Sequence, residues 1–340
     1  MSKNKVSACG GCAKKTSIGG QALIEGIMMR GPEYSAMAVR SPEGEIVLEK
    51  WQTKAKFNAK FFKLPLVRGI FNFIDSMSSG YKCLMRSAEI AGLEDNESKK
   101  NDTTSNAADQ DKSEQTKADT AEKKDSGSSI GMSILMGFSA VLGVLLAVGL
   151  FVVLPTFLYD LLEKFVPVFK DNRFLQALFE GLFRIILFLL YMLLVSRMKD
   201  IRRTFMYHGA EHKTIFCYEH GQPLTIENVR KERRFHPRCG TSFMVLMLLV
   251  GIVIGMFIPA SLPTLVRTAI KILLLPITVG IGYELIKLAG RHDNIFTRVI
   301  SQPGMWFQRI TTVEPDDDMI ECAIKAFVEV LPENEKDANW

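Results

Sequence analysis

Two stretches of the chain carry no charged residue: Ser126 to Tyr159, 34 residues, and Thr241 to Val266, 26 residues. A helix rises ~1.5 Å per residue, so about 20 apolar residues cross the ~30 Å hydrocarbon core of a bilayer. Runs of this length exclude an ordinary soluble protein and predict a membrane protein. Hydropathy along the chain places four spans, at about 131–157, 174–197, 242–262 and 266–289. The second carries Glu180 and Arg184, one helical turn apart, and the fourth carries Lys271 and Glu284. The mean hydropathy is only +0.11, because the apolar runs are offset by residues 94–129, which lack Val, Ile, Leu, Met, Phe, Trp, Tyr and Cys. A segment of that composition cannot bury enough apolar surface to fold and is expected to be a disordered linker.

The placement of charge sets the expected topology. Residues 199–240, between the second and third spans, hold nine Lys and Arg, against three in residues 160–173. By the positive-inside rule the 199–240 loop is cytoplasmic, and with four spans both termini are cytoplasmic as well, in a multi-pass protein of the plasma membrane. The N-terminus shows no apolar core of a cleavable signal peptide. The net charge, 42 Lys and Arg against 37 Asp and Glu, is too small to indicate nucleic acid as a partner. Six cysteines do not make a secreted disulfide framework. The one close pair, Cys9 and Cys12, is a weak metal or dithiol motif.

The resulting organisation is a flexible tail (1–18), a cytoplasmic or interfacial region (19–93), the linker (94–129), and two transmembrane helices (130–198). A His-rich cytoplasmic loop (199–240), two further transmembrane helices (241–290) and a cytoplasmic C-terminal segment (291–340) complete it. The fold class is therefore a membrane all-α protein of about four transmembrane helices, with a small cytoplasmic α+β part contributed by the N-terminal region, the central loop and the C-terminus. Ala36 to Trp51 reads as two short strands joined by a Pro and Gly turn. Ile70, Ile74, Met77, Tyr81, Leu84 and Ala88 form one apolar helical stripe, suited either to packing on that hairpin or to lying along the membrane. Met319 to Val330 reads as a short amphipathic helix with Asp316 or Asp317 as its cap.

Four of the five histidines fall within residues 208–236. In His208-Gly209-Ala210-Glu211-His212 the two imidazoles stand one turn apart on one helix face, where both can reach one metal ion. The H-x-x-E-H order is that of the inverted zincins, in which the glutamate is a general base. Glu211 is the candidate for that role. Further ligands are sought in His236 and Cys239, three residues apart at the membrane edge, and in Glu284, an acid near the cytoplasmic end of a span. A thiolate beside imidazoles suits zinc. Each motif has a plainer reading: solvated histidines, a Pro237 and Gly240 turn into the membrane with Arg238 at the headgroups, a salt bridge of Glu284 with Lys287 or Arg291. Glu25 and Arg30 lie in the glycine-rich 19–31 segment, which either approaches a polar ligand or is a strand and loop without a site. His220-Gly221 reads as a helix end.

Several strings, among them GGQALIEGIMMRGP (19–32), PLVRGIFNFIDSM (65–77), YHGAEHKTI (207–215), HPRCGTSF (236–243), YELIKLAGR (283–291) and PGMWFQRITTVEPDDD (303–318), resemble the YqhQ-like family of bacterial membrane proteins. The resemblance covers nearly the whole chain except the tail and the linker. It implies a metal-dependent enzyme in which His208, Glu211, His212, His236, Cys239, Glu25 and Glu284 stand within shared motifs. The expected function is thus a membrane protein with a cytoplasmic zinc site at His208 and His212, completed by His236, Cys239 or Glu284, with Glu25, Arg30 and Arg238 behind them. If it is an enzyme, Glu211 activates water for hydrolysis of a peptide or lipid-linked substrate. The alternative is a non-enzymatic scaffold or assembly factor whose cytoplasmic face docks a partner protein, or a homo-oligomer.

Overall fold

The computed structural model describes residues 15–53, 60–92, 138–139, 141–170, 172–291 and 294–332. Cys9, Cys12, the whole of the 94–129 linker and His292 lie outside these. The N-terminal residues build a four-stranded antiparallel meander in the order β1 (Gly19–Leu23), β2 (Gly26–Arg30), β3 (Tyr34–Arg40) and β4 (Ile46–Gln52). The hairpin expected at 36–51 is its second half. The glycine-rich segment supplies the first half, with Leu23 paired to Gly26 across a two-residue turn in which Glu25 adopts φ 49°.

Side chains alternate across the sheet with period two. Ile27, Met29, Ala36 and Ala38 share one core, and Leu23, Met28, Met37 and Val39 share the other with Cys83. The sheet is therefore covered on both faces. Over the second core lies α1 (Val67–Ile90). Its packed face is made of Gly69, Asp75, Gly80, Cys83 and Ser87, while Ile74, Met77 and Tyr81 point outward, each about half exposed. Small residues set this choice: a Cβ at Gly80 would stand 2.2 Å from the Gln21 side chain, so the sheet approaches where the helix is thinnest.

The apolar helices form two hairpins that rise from this layer. The first pairs α2 (Val141–Phe165) with α3 (Arg173–Val195). Asn172 caps α3 by accepting from Phe174 N and Leu175 N. The chain then re-enters the polar layer as α4 (Lys199–Glu219) and the short α5 (Ile226–Lys231), before a second hairpin of α6 (Gly240–Gly255) and α7 (Thr264–Arg291). The C-terminal helices α8 (Ile295–Thr311) and α9 (Asp317–Glu329) return to the layer, α9 packing on the first sheet core through Met319, Ile320, Ala323, Ala326 and Phe327.

Among the described residues three helices, α2, α3 and α7, are long and apolar enough to cross a membrane. This differs from the four full-length spans expected. The 242–262 run is helical only from Gly240 to Gly255, about 24 Å at ~1.5 Å per residue, because the chain turns at Met256 ahead of Pro259 and Pro263. In turn α2 continues past 157 to Phe165, since Asp160 is paired with Arg267 and Thr264 and does not break it. Asp316 occupies the N-cap position of α9 but its side chain makes no capping bond; Asp317 and Asp318 in the first turn complement the helix dipole instead.

Candidate metal centre

Helix α4 is buried along Tyr207–Ile215, unusual for a segment with this many ionisable groups. Gly209 makes it possible: a Cβ there would stand 2.1 Å from the Val313 carbonyl, so only glycine lets the strand-like 312–315 segment cross the helix. That crossing brings the Thr311 carbonyl to His208, whose Nδ1 donates to it over 2.8 Å. His212 Nδ1 donates in the same way to the Arg234 carbonyl at 2.5 Å. With both Nδ1 atoms bonded to carbonyls, each imidazole turns its Nε2 inward.

Cys239 arrives from the other side as the N-cap of α6, its sulfur accepting from Thr241 N at 3.4 Å. Its Sγ lies 3.1 Å from His208 Nε2. One ligand atom each from His208, His212 and Cys239 falls within 4.8 Å of the others, and all three residues are buried. His212 Nε2 is buried with no hydrogen-bond partner. Burial opposes charge on His208, but the Cys239 thiolate, by charge and hydrogen bond, and then Glu211 raise its pKa to about 9. Burial likewise opposes the Cys239 thiolate, yet the charges of His208 and His212 hold it well below the ordinary thiol value. The sulfur is thus ready to ligate as thiolate.

Glu211 stands beside this trio and is buried. Burial is the largest influence on it and raises its carboxyl, against the pull of His208 and His212. The Gly20 backbone bonds to it, and a Cβ at Gly20 would stand 3.0 Å from its carboxyl carbon, so the edge strand β1 reaches the site only because that residue is glycine.

The other expected ligands do not join the trio. His236 is a neighbour, with its ring 5.6 Å from that of His212, but its nitrogens face Arg238 at 3.3 and 3.4 Å and Nε2 is 3.8 Å from Glu219. Glu284 lies elsewhere: it pairs with Arg68 of α1, Nε to Oε1 at 2.6 Å. Glu25 pairs with Arg203 at 2.5 Å and accepts from Tyr207 at 3.3 Å; Arg30 pairs with Asp75 at 2.9 Å. Arg238 pairs with Glu219 and donates to Thr16 O at 3.1 Å, tying the N-terminal segment to the loop. His220 caps α4 ahead of Gly221 at φ 67°, its ring on Glu232 at 2.9 Å.

A family described as "Protein of unknown function (DUF1385)" matches residues 64–333, which include all three clustered ligands. The chain belongs to this family. It is also 35% identical over 335 residues to "Uncharacterized protein YqhQ" of Bacillus subtilis (strain 168), covering 97% of this chain and 95% of that one. No solved structure matches. Within the DUF1385 match lie the supporting residues that sequence reasoning missed: Gly209, Arg234, Thr311 and above all Gln308. Fully buried, Gln308 accepts from His236 N at 2.7 Å and donates to His236 O at 2.7 Å and Ser242 Oγ at 3.0 Å. It clamps the loop that delivers Cys239. A buried glutamine in the MWFQ string was the only available signal, and nothing in spacing marked it.

Proposed function

We propose that the chain is a multi-pass protein of the plasma membrane that holds a zinc ion on His208, His212 and Cys239 at the cytoplasmic mouth of its helix bundle, and uses it in hydrolysis. The observation that carries this reading is the buried, partnerless Nε2 of His212 facing a thiolate and a second imidazole. An acceptor left bare in the interior costs about 1–3 kcal/mol, which a cation removes. Two imidazoles and one thiolate are a borderline-soft donor set that fits zinc. Three protein ligands are the number found in catalytic sites, where a fourth position stays open. Zinc bound there would supply Lewis acidity. Glu211, with its carboxyl raised by burial and held by Gly20, would accept and return a proton beside it.

Exposed apolar side chains on the long helices, such as Leu146, Leu194 and Leu273, support contact with lipid, as does the outward stripe Ile74, Met77 and Tyr81 of α1 at the membrane surface. The nine basic residues of the 199–240 loop support a cytoplasmic side for the proposed metal centre. Metal analysis of the detergent-purified protein tests the core of the proposal. About one zinc per wild-type chain and almost none in Cys239→Ala is expected; equal contents in the two sink it. Glu211→Gln should keep zinc while losing turnover of peptide or lipid-linked ester substrates, and undiminished turnover removes Glu211 from the chemistry.

A further inference from the structure

A second buried polar cluster lies among the apolar helices. Glu180 of α3 accepts from Gln176 at 2.9 Å, from Arg184 at 2.9 Å and from Lys271 of α7 at 2.5 Å. Lys271 also donates to Thr156 of α2 at 2.8 Å. Arg184 Nε donates over 2.8 Å to the Phe151 carbonyl, which is freed where α2 widens into a π-turn at Gly149–Val153. Nearby, Asp160 and Arg267 neutralise each other. Two cations therefore share one carboxylate. Arg184 spends Nε and one terminal nitrogen on these bonds, and Lys271 two of its three protons, so donors are left over.

Both cations open onto a cavity of about 300 Å³ between α2, α3, α6 and α7. Apart from them and Thr278 its walls are apolar, among them Phe188, Leu248, Ile254 and Leu275. We propose that this cavity holds a single-chain lipid carboxylate of the fatty-acid class, with its headgroup on Arg184 and Lys271 and its chain against α6. The volume is at the small end for ligand pockets and suits one acyl chain. The surplus of one positive charge matches a monoanion. A phosphate monoester, carrying about −1.5 to −2, would over-compensate it in a low-dielectric site. The inference rests on the membrane reading above but not on the metal.

Binding of oleate to the delipidated full-length protein in nonionic detergent tests it, with oleyl alcohol and lysophosphatidate as comparison ligands and zinc content measured on every sample. Oleate should bind at least tenfold more tightly than oleyl alcohol. Lys271→Met should remove that advantage. Gly251 lines the cavity and a Cβ there meets nothing within 4 Å, so Gly251→Leu should fold, fill the space and abolish binding of both ligands. Equal affinity for oleate and the alcohol in wild type, tighter binding of lysophosphatidate, or full oleate affinity in Gly251→Leu overturns the proposal. Because the ligand comparison uses wild type, it decides even if Lys271→Met does not fold. Unchanged zinc across the variants separates failure here from failure of the metal centre.

Discussion

Beside the sheet, His208, His212 and Cys239 turn two ring nitrogens and a sulfur toward one another, the imidazoles held by the Thr311 and Arg234 carbonyls. Among the apolar helices, Glu180 accepts from Gln176, Arg184 and Lys271, so two cationic side chains share one carboxylate. Both clusters are buried, and each is incomplete in the opposite sense: the first wants a cation, the second an anion. Burial by itself therefore does not say what a polar cluster is for. The sign of the groups around it is the better guide, and it is what distinguishes the proposed metal centre from the proposed pocket for an acidic amphiphile.

Removing a metal ligand should give the largest effect. Structural zinc contributes about 10–16 kcal/mol, so losing one of three ligands should cost ~4 kcal/mol, roughly a thousandfold in zinc affinity. His212→Ala measured by competition with a chromogenic chelator checks this; affinity within tenfold of wild type would remove the contrast between the clusters. Next is Glu180→Leu, which leaves Arg184 and Lys271 without their counter-ion and should destabilise the bundle by about 3 kcal/mol while zinc content stays at the wild-type level. Unfolding in mixed detergent micelles reads the first quantity and metal analysis the second, and zinc loss would show that the clusters are coupled.

Gly209→Ala should cost about 2 kcal/mol, the overpacking penalty of a Cβ 2.1 Å from the Val313 carbonyl, and weaken zinc by moving Thr311 off His208. A thermal melt with and without chelator separates the two effects. Gln308→Met should cost about 1–3 kcal/mol by stranding the His236 backbone groups, with a 10–100-fold loss of zinc affinity from the loosened Cys239 loop. The smallest effect is expected of Glu284→Gln. Its partner Arg68 is part exposed, so stability should fall by less than ~1 kcal/mol and zinc not at all; a variant depleted of zinc would return Glu284 to the ligand set.

The sequence made the long apolar helices legible because charge-free runs leave few alternatives, and it made the His208 and His212 pairing legible because one helical turn fixes both. Cys239 was legible as a candidate among several, since thiol and imidazole chemistry narrows the choice. What it could not show was long-range. Glu284 looked like a ligand because an acid at the membrane edge needs a partner, and only the packing of Gly69 on Tyr283 reveals that Arg68 is that partner. The stripe on α1 was periodic, but which face packs on the sheet was decided by small residues on the opposite side, leaving Ile74, Met77 and Tyr81 exposed. The length of α6 was misjudged because apolar composition continues through Ile258 while the hydrogen-bond ladder stops.

The centre draws on Thr311, which follows His208 by 103 residues and emerges after the last apolar helix has been made. During synthesis the two histidines and the thiol leave the ribosome first, and the carbonyl that orients one of them comes only with the C-terminal segment. If the proposed zinc is held here, its tight capture would wait for the segment that carries Thr311. A product cut short before Thr311 would then hold the proposed ion more loosely than the longer chain, because His208 would lack the carbonyl that orients it.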